Sequence, residues 1–215
     1  MKNICKLSLT LLTMATISSC SLFGIQSEEG PKYKVLVKDG NYEIRKYSPY
    51  LVAQITVEGD YNDSSGEAFR ILAGYIFGKN QGENKVAMTS PVEIKKDPVK
   101  ISMTSPVTMD QEEKSFTMRF SMPSKYTLYD LPRPLDKRIT FKEVPSKVIA
   151  VHRYTLLGSQ ERNEKKAAEL KLWLNNRNDY TFNPDYTYAG YNPPWTIPFL
   201  RRNEIQIELI IKESL

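Results

Sequence analysis

The chemistry open to this chain is bounded by how few reactive side chains it has. It carries two cysteines, Cys5 and Cys20, and one histidine, His152. Both cysteines precede any segment that patterns as folded, which leaves the folded part no thiol for a nucleophile, a disulfide or a metal site. His152 stands in Lys147-Val148-Ile149-Ala150-Val151-His152-Arg153-Tyr154, a strand-like run, and is the lone imidazole for ligating a metal. Among carboxylates, Glu43, Glu58, Glu204 and Glu208 lie on or beside strand-like runs. A carboxyl group buried in a barrel would have its pKa raised, and such a group could drive hydrolysis. There is no H-E-x-x-H, no G-x-S-x-G and no Gly-rich phosphate loop. Enzymatic readings therefore shrink to a carboxylate-dependent hydrolase, and binding is the stronger expectation.

Composition points the same way. With 40% hydrophobic and 26% charged residues over 215 positions and a mean hydropathy of -0.45, the bulk of the chain is neither disordered nor a set of membrane spans. The net charge of +5 falls to +3 once Lys2 and Lys6 are set aside with the N-terminal segment. No basic run interleaved with aromatics stands out, so nucleic acid is not an expected partner. Thirteen Tyr and eight Phe favour flat surfaces, for packing or for a flat ligand.

The N-terminus reads as an address. Lys2 and Lys6 precede Leu7 to Ile17, eleven largely apolar residues, too short to cross a bilayer and suited to a signal peptide. Ile17-Ser18-Ser19-Cys20 follows and resembles the lipobox of bacterial lipoproteins, which implies a diacylated Cys20 with residues 1–19 removed. An ordinary secretory signal cut near Ser19 is the other reading. Two or three acyl chains suffice for stable anchoring. Residues 20–31 form a tether ending in Gly30-Pro31, and 32–215 the folded domain. Ser21 replaces the Asp that often signals inner-membrane retention. The expected location is thus the cell envelope, on an outer membrane where there is one.

The folded part patterns as two copies of one unit. Ile44 to Ala53 aligns without a gap on Phe141 to Ala150, 97 positions later, and in each a strand-like run meets a Ser/Pro turn. Second strands follow, Leu51 to Val57 and Val148 to Tyr154. Helix-length segments come next, Ser65 to Lys79 with Phe69, Leu72, Ala73 and Ile76 on one stripe, and Gln160 to Asn176 with Ala167, Leu170 and Leu174 at matching places. Gly78 and Asn175-Asn176 are their stops. Ser115 to Met122 and Ile205 to Ile211 are further strands, and Leu128 to Lys137 links the halves. The expectation is an α+β domain with a curved, mostly antiparallel sheet carrying two helices. A tighter repeat, Lys85 to Val92 and Lys100 to Val107, contains MTSPV twice. Each copy is expected to be a short strand stopped by Pro, its hydroxyls capping the turn locally and its Met buried, or else a ligand-lining corner.

These residues carry a resemblance to the SOUL heme-binding protein family. It rests on Tyr42-Glu43-Ile44-Arg45-Lys46-Tyr47, the paired MTSPV segments, Phe120-Ser121-Met122-Pro123 with Tyr126, Leu131-Pro132-Arg133-Pro134, and the run from Pro194-Trp195-Thr196 to Arg202-Asn203-Glu204. It covers about residues 33–212. The resemblance implies a pseudo-two-fold distorted antiparallel β-barrel flanked by two helices, similar to gyrase-inhibitor-like effector-binding domains. It also implies a monomer that binds heme or another tetrapyrrole in an apolar surface groove. Carried onto this chain, the groove falls on Phe69, Leu72, Ala73 and Ile76 of the first helix, with Tyr191 and Trp195 from the loop before the last strand. The helix stripe also reads as an ordinary core face, with Ile71 and Tyr75 then the exposed pair. Arg201 and Arg202 suit propionates, or an ion pair with Glu204. His152 is the sole candidate axial histidine, yet its counterpart in the other half is Ile55, which favours plain strand packing. A small amphiphile or a protein partner remains the alternative to a tetrapyrrole.

Overall fold

The repeat unit is visible in the strand register. The computed structural model describes residues 29–59, 61–96, 115–193 and 195–211. The expected signal segment, Cys20, Pro194 and the second MTSPV copy lie outside these. The strands are β1 (Tyr33–Asp39), β2 (Tyr42–Tyr47), β3 (Tyr50–Glu58), β4 (Val92–Lys96), β5 (Ser115–Ser121), β6 (Thr140–Val144), β7 (Lys147–Tyr154), β8 (Tyr180–Phe182), β9 (Thr187–Gly190) and β10 (Asn203–Ile211). The helices are α1 (Tyr61–Ile76) and α2 (Gln160–Asn175), and a 3-10 turn covers Pro198–Leu200. The sheet runs β1-β2-β7-β10-β9-β4-β5-β3-β6, with β8 paired to β10, and every pairing is antiparallel.

Apart from β1 and β8, that order is its own mirror about the β9/β4 seam: β9 matches β4, β10 matches β5, β7 matches β3, and β2 matches β6. The seam pairs Glu93 with Ala189 and Ile94 with Tyr188. The first strand of each repeated unit is lent to the other half, β2 to β7 and β6 to β3. Neither half can complete its sheet alone. The result is the expected curled, two-helix α+β architecture, an open half-barrel ending at β1 and β6.

Strand alternation divides the sheet into two unlike faces. One face carries both helices. Ala53, Ile55, Val57, Phe116, Met118 and Phe120 meet Ala68, Leu72, Tyr75 and Ile76 of α1. Ile44, Val148, Ala150, Ile205, Ile207 and Leu209 meet Ala167, Leu170 and Leu174 of α2. Ser159 caps α2 by accepting from the Arg162 amide, and Glu161 suits the positive end of the helix dipole. α1 starts earlier than its apolar stripe suggests and turns off at Gly78, whose φ of +112° suits glycine; a Cβ there would meet the Glu83 carbonyl oxygen at 3.3 Å.

The first MTSPV copy departs from expectation. Residues 85–90 are irregular, and Pro91 precedes a strand instead of ending one, with β4 beginning at Val92. Met88 is exposed. Thr89 Oγ1 does not cap its own turn; it donates to the Ser121 carbonyl at the end of β5, tying the segment across the sheet.

Leu170 is fully buried beneath α2. Leu170→Ala is expected to cost about 2–5 kcal/mol, read as a lower urea midpoint with unchanged denaturant slope.

Candidate functional site

The face turned away from the helices is built around a buried guanidinium. Arg45 on β2 is 0% exposed. It donates to both oxygens of Glu204 on β10 at 2.9 and 3.0 Å, to Glu43 at 2.7 Å and to the Tyr47 hydroxyl at 3.2 Å, with the Tyr33 ring 4.4 Å away. Glu204, also 0% exposed, further accepts from Arg202 at 2.6 Å, from the Tyr191 hydroxyl at 2.7 Å and from Gln206 at 3.3 Å. The Arg202 guanidinium lies 4.0 Å from the Tyr191 ring centre.

Burial alone would raise the Glu204 pKa, but Arg45, Arg202 and the Tyr191 hydroxyl more than offset it and hold the carboxyl below its ordinary value. Burial first, and then Glu204, pushes the Tyr191 phenol well up. The expectation of a raised, barrel-buried carboxylic acid is thus corrected for Glu204. A group already saturated with donors cannot accept a substrate proton near neutral pH.

A cleft of about 790 Å³ opens where β7 ends, beside the N-terminal half of α2 and the 3-10 turn. Its charged lining is Arg153, Arg162, Lys166, Arg201 and Arg202, five cations and no carboxylate, with Leu156 and Leu200 as apolar wall. Arg202 is positioned from behind by Glu204 at 2.6 Å, and Arg153 lies 3.7 Å from Glu43 and 3.9 Å from Glu204. Arg162 donates to the Leu157 carbonyl, and Arg201 Nε to the Thr196 carbonyl at 2.8 Å. Lys166 pairs with Glu169 at 2.8 Å.

His152 also borders this cleft but is 3% exposed. Its Nδ1 lies 3.3 Å from the Lys166 carbonyl, and its ring packs 4.4 Å from Tyr42, which stacks on Trp173. Burial, with help from Lys166, lowers its pKa against the opposing Lys166 carbonyl and Glu169. It fills on β7 the place that Ile55 fills on β3. Among the described residues no three His, Cys, Asp or Glu side chains gather as a metal site.

The residues assigned to a groove from sequence fall in three places. Leu72, Ala73 and Ile76 are buried under α1, where Tyr75 joins them and Ile71 packs alongside; Phe69 packs on Phe120 with ring centres 5.6 Å apart. Tyr191 is on the other face of the sheet, bonded to Glu204, so the α1 stripe and Tyr191 do not share a surface. Trp195 is 64% exposed. Arg201 and Arg202 line the cationic cleft, and the Arg202–Glu204 ion pair is present as well. Arg45, Arg153, Arg162 and Lys166 were not singled out as site residues. Glu43, Arg45 and Tyr47 alternate within one strand and therefore share a face, which was the available signal for the first of them.

Glu204→Gln should leave Arg45 short of a counter-charge, and a loss of about 3–5 kcal/mol is expected. The acid limb checks it separately. Because the folded pKa of Glu204 is depressed, its stabilisation is full above the unfolded value of about 4.5 and is lost as pH falls through the lower folded value. Thermal melts against pH should show that loss in the wild type and a shallower acid limb in the variant.

Comparison with known proteins bears on this geometry. The family model for SOUL heme-binding protein matches residues 28–208. Human heme-binding protein 2 is 29% identical over 176 residues, covering 81% of this chain and 80% of the relative. Heme-binding protein 1 of Xenopus tropicalis is 30% identical over 189 residues, covering 86% and 93%. In fold, the chain is similar to the EcmrR C-terminal domain, with TM-score 0.55 at 10% identity, covering 84% of this chain and 99% of that one. It is also similar to a Listeria innocua hydrolase, with TM-score 0.53 at 9% identity, covering 81% and 94%. At such identities these two speak to architecture alone. The family match spans nearly the whole described domain, and the chain belongs to the SOUL heme-binding protein family.

Proposed function

We propose that this protein binds heme or another tetrapyrrole by its carboxylates in the cationic cleft beside α2, while held at a membrane through a lipid on Cys20. The observation that carries the reading is the cleft itself: about 790 Å³ of space, five cations, no carboxylate, and a leucine wall. The group fits these residues in size and charge. Arg153, Arg162 and Arg201 would hold the propionates, and Leu156 and Leu200 would cover part of the ring. The names of the relatives support the ligand class. A bound heme supplies an iron for redox or gas chemistry.

Affinity does not require an iron–histidine bond. A ligand of roughly 40 heavy atoms at about 0.3 kcal/mol each has a ceiling near 12 kcal/mol, which reaches nanomolar binding. His152 is covered and its Nδ1 engaged, so it serves as a packed wall residue.

In a hemin titration the Arg162→Gln/Arg201→Gln variant is expected to bind about tenfold more weakly, about 1.4 kcal/mol, while hemin dimethyl ester binds both proteins alike. His152→Ile, which copies the other half, should leave the Soret position unchanged. Equal hemin affinity in the double variant would move the site elsewhere. Absence of any Soret shift in the wild type would favour the second reading, a small amphiphile or protein partner, sought by mass spectrometry of the natively purified protein.

The anchor rests on the Ile17-Ser18-Ser19-Cys20 box after its apolar run. No described helix is long and apolar enough to cross a membrane. Intact mass of the native protein should show a diacylglycerol-sized increment on Cys20, and Cys20→Ala should release the protein or strand its precursor. A mature chain beginning elsewhere with no acyl mass would remove the anchor and, with it, the outer-membrane location.

A further inference from the structure

We infer that the sheet face turned away from the helices holds a second site, for a small zwitterion of the amino-acid class, seated between Glu93 and Arg119. The cleft there is about 330 Å³, less than half the space of the cationic cleft, and lies against the β4/β9 seam. It is too small for a tetrapyrrole and within the range of small-ligand pockets.

Glu93 on β4 and Arg119 on β5 are directly paired in register, so their side chains stand side by side on one face. Opposite charges so placed ordinarily close on each other. Here they do not. Glu93 accepts from the Tyr50 hydroxyl at 3.3 Å, and Arg119 Nε donates to Gln54 at 3.1 Å; among the described residues no ion pair joins the two. Each is drawn sideways, which leaves an acceptor and a guanidinium edge facing the same space.

The neighbouring charges do not fill that space. Lys95 pairs with Asp185 and Lys147 with Glu208, each at 3.8 Å, so the walls balance themselves. Glu93 is 5% exposed, and a carboxylate so covered gains most from a cation brought to it. A ligand ammonium suits Glu93, and a ligand carboxylate suits the two terminal nitrogens of Arg119 as a fork. Gln206, buried beside them, adds an amide for a polar ligand side chain. The pairing of ammonium with carboxylate at neighbouring positions is the head group of an α-amino acid.

This site is independent of the tetrapyrrole reading, and its test separates the two. Calorimetric titration of the lipidated, detergent-solubilised protein with L-glutamine is expected to give a Kd of about 1 mM or tighter. N-acetyl-L-glutamine, which lacks the ammonium, and L-glutaminamide, which lacks the carboxylate, should each bind at least about tenfold more weakly. That comparison uses the wild type alone and needs no variant to fold. Glu93→Gln and Arg119→Gln should weaken L-glutamine to the same degree without altering the hemin titration. No heat with L-glutamine, or equal binding of all three compounds, would overturn the proposal.

Discussion

The Arg45–Glu204 pair spans three strands, and much of the second half of the molecule is arranged around it. β7 lies between β2 and β10, and Arg45 is in register with Ile149 whereas Glu204 is in register with Arg153, so the two residues are two strands apart and offset by four residues along them. They meet because the long arginine side chain reaches diagonally over β7, from the row of Ile149 toward that of Arg153. Once both charges are dry, each depends on the other, since removing one partner strands a buried charge. The remaining acceptor capacity is met by Arg202, Tyr191 and Gln206, and Glu43 takes a further guanidinium edge. Such a satisfied network specifies register: a one-residue slip of β2 against β7 would send Arg45 into the α2 core and Ile44 onto the charged face.

The same carboxylate links fold to surface. Arg202 and Arg153 line the cationic cleft; Arg202 is held from within by Glu204, and Arg153 lies near both Glu43 and Glu204. Fixing a guanidinium from one side lets its other edge meet a ligand without first losing rotamer freedom. The position of Arg202 in the cleft is therefore set by a buried anion whose own ionisation is favoured by Arg45 and by Arg202 itself. Folding and the proposed anion recognition rest on one set of contacts.

Much of the architecture was legible because it repeats. The ungapped alignment of Ile44 to Ala53 with Phe141 to Ala150 corresponds in space to β2-β3 and β6-β7, and the helix stripes on Leu72 and Leu170 are the two core faces. Periodicity carries that information because burial follows it. Other features carried little. β8 and β9 are only three and four residues long, too short for alternation to register. The MTSPV corner was misread because its Thr89 bonds to a strand 32 residues away, a partner that no local pattern contains. The site was less legible than the fold for the same reason. Arg153, Arg162 and Arg201 come from a strand end, a helix start and a loop, and only the tertiary arrangement makes them neighbours.

Where the two halves differ is where polar chemistry enters. The pseudo-two-fold places His152 where the first half has Ile55, Glu204 where it has Thr117, and Glu93 where the second half has Thr187. The backbone at each pair is the same, so what differs is the side chain alone. On β3 and β5, Thr56 and Thr117 bond hydroxyl to hydroxyl at 2.7 Å, a neutral contact that closes on itself. Their counterparts Arg153 and Glu204 are charged, and the arginine reaches outward to the cleft. At this position the first half thus keeps a neutral pair on the face turned away from α1, whose own stripe packs in the core. The other half has an ionic pair at the equivalent place, and it is there, at the end of β7 beside α2, that the sheet presents Arg153 to the cationic cleft.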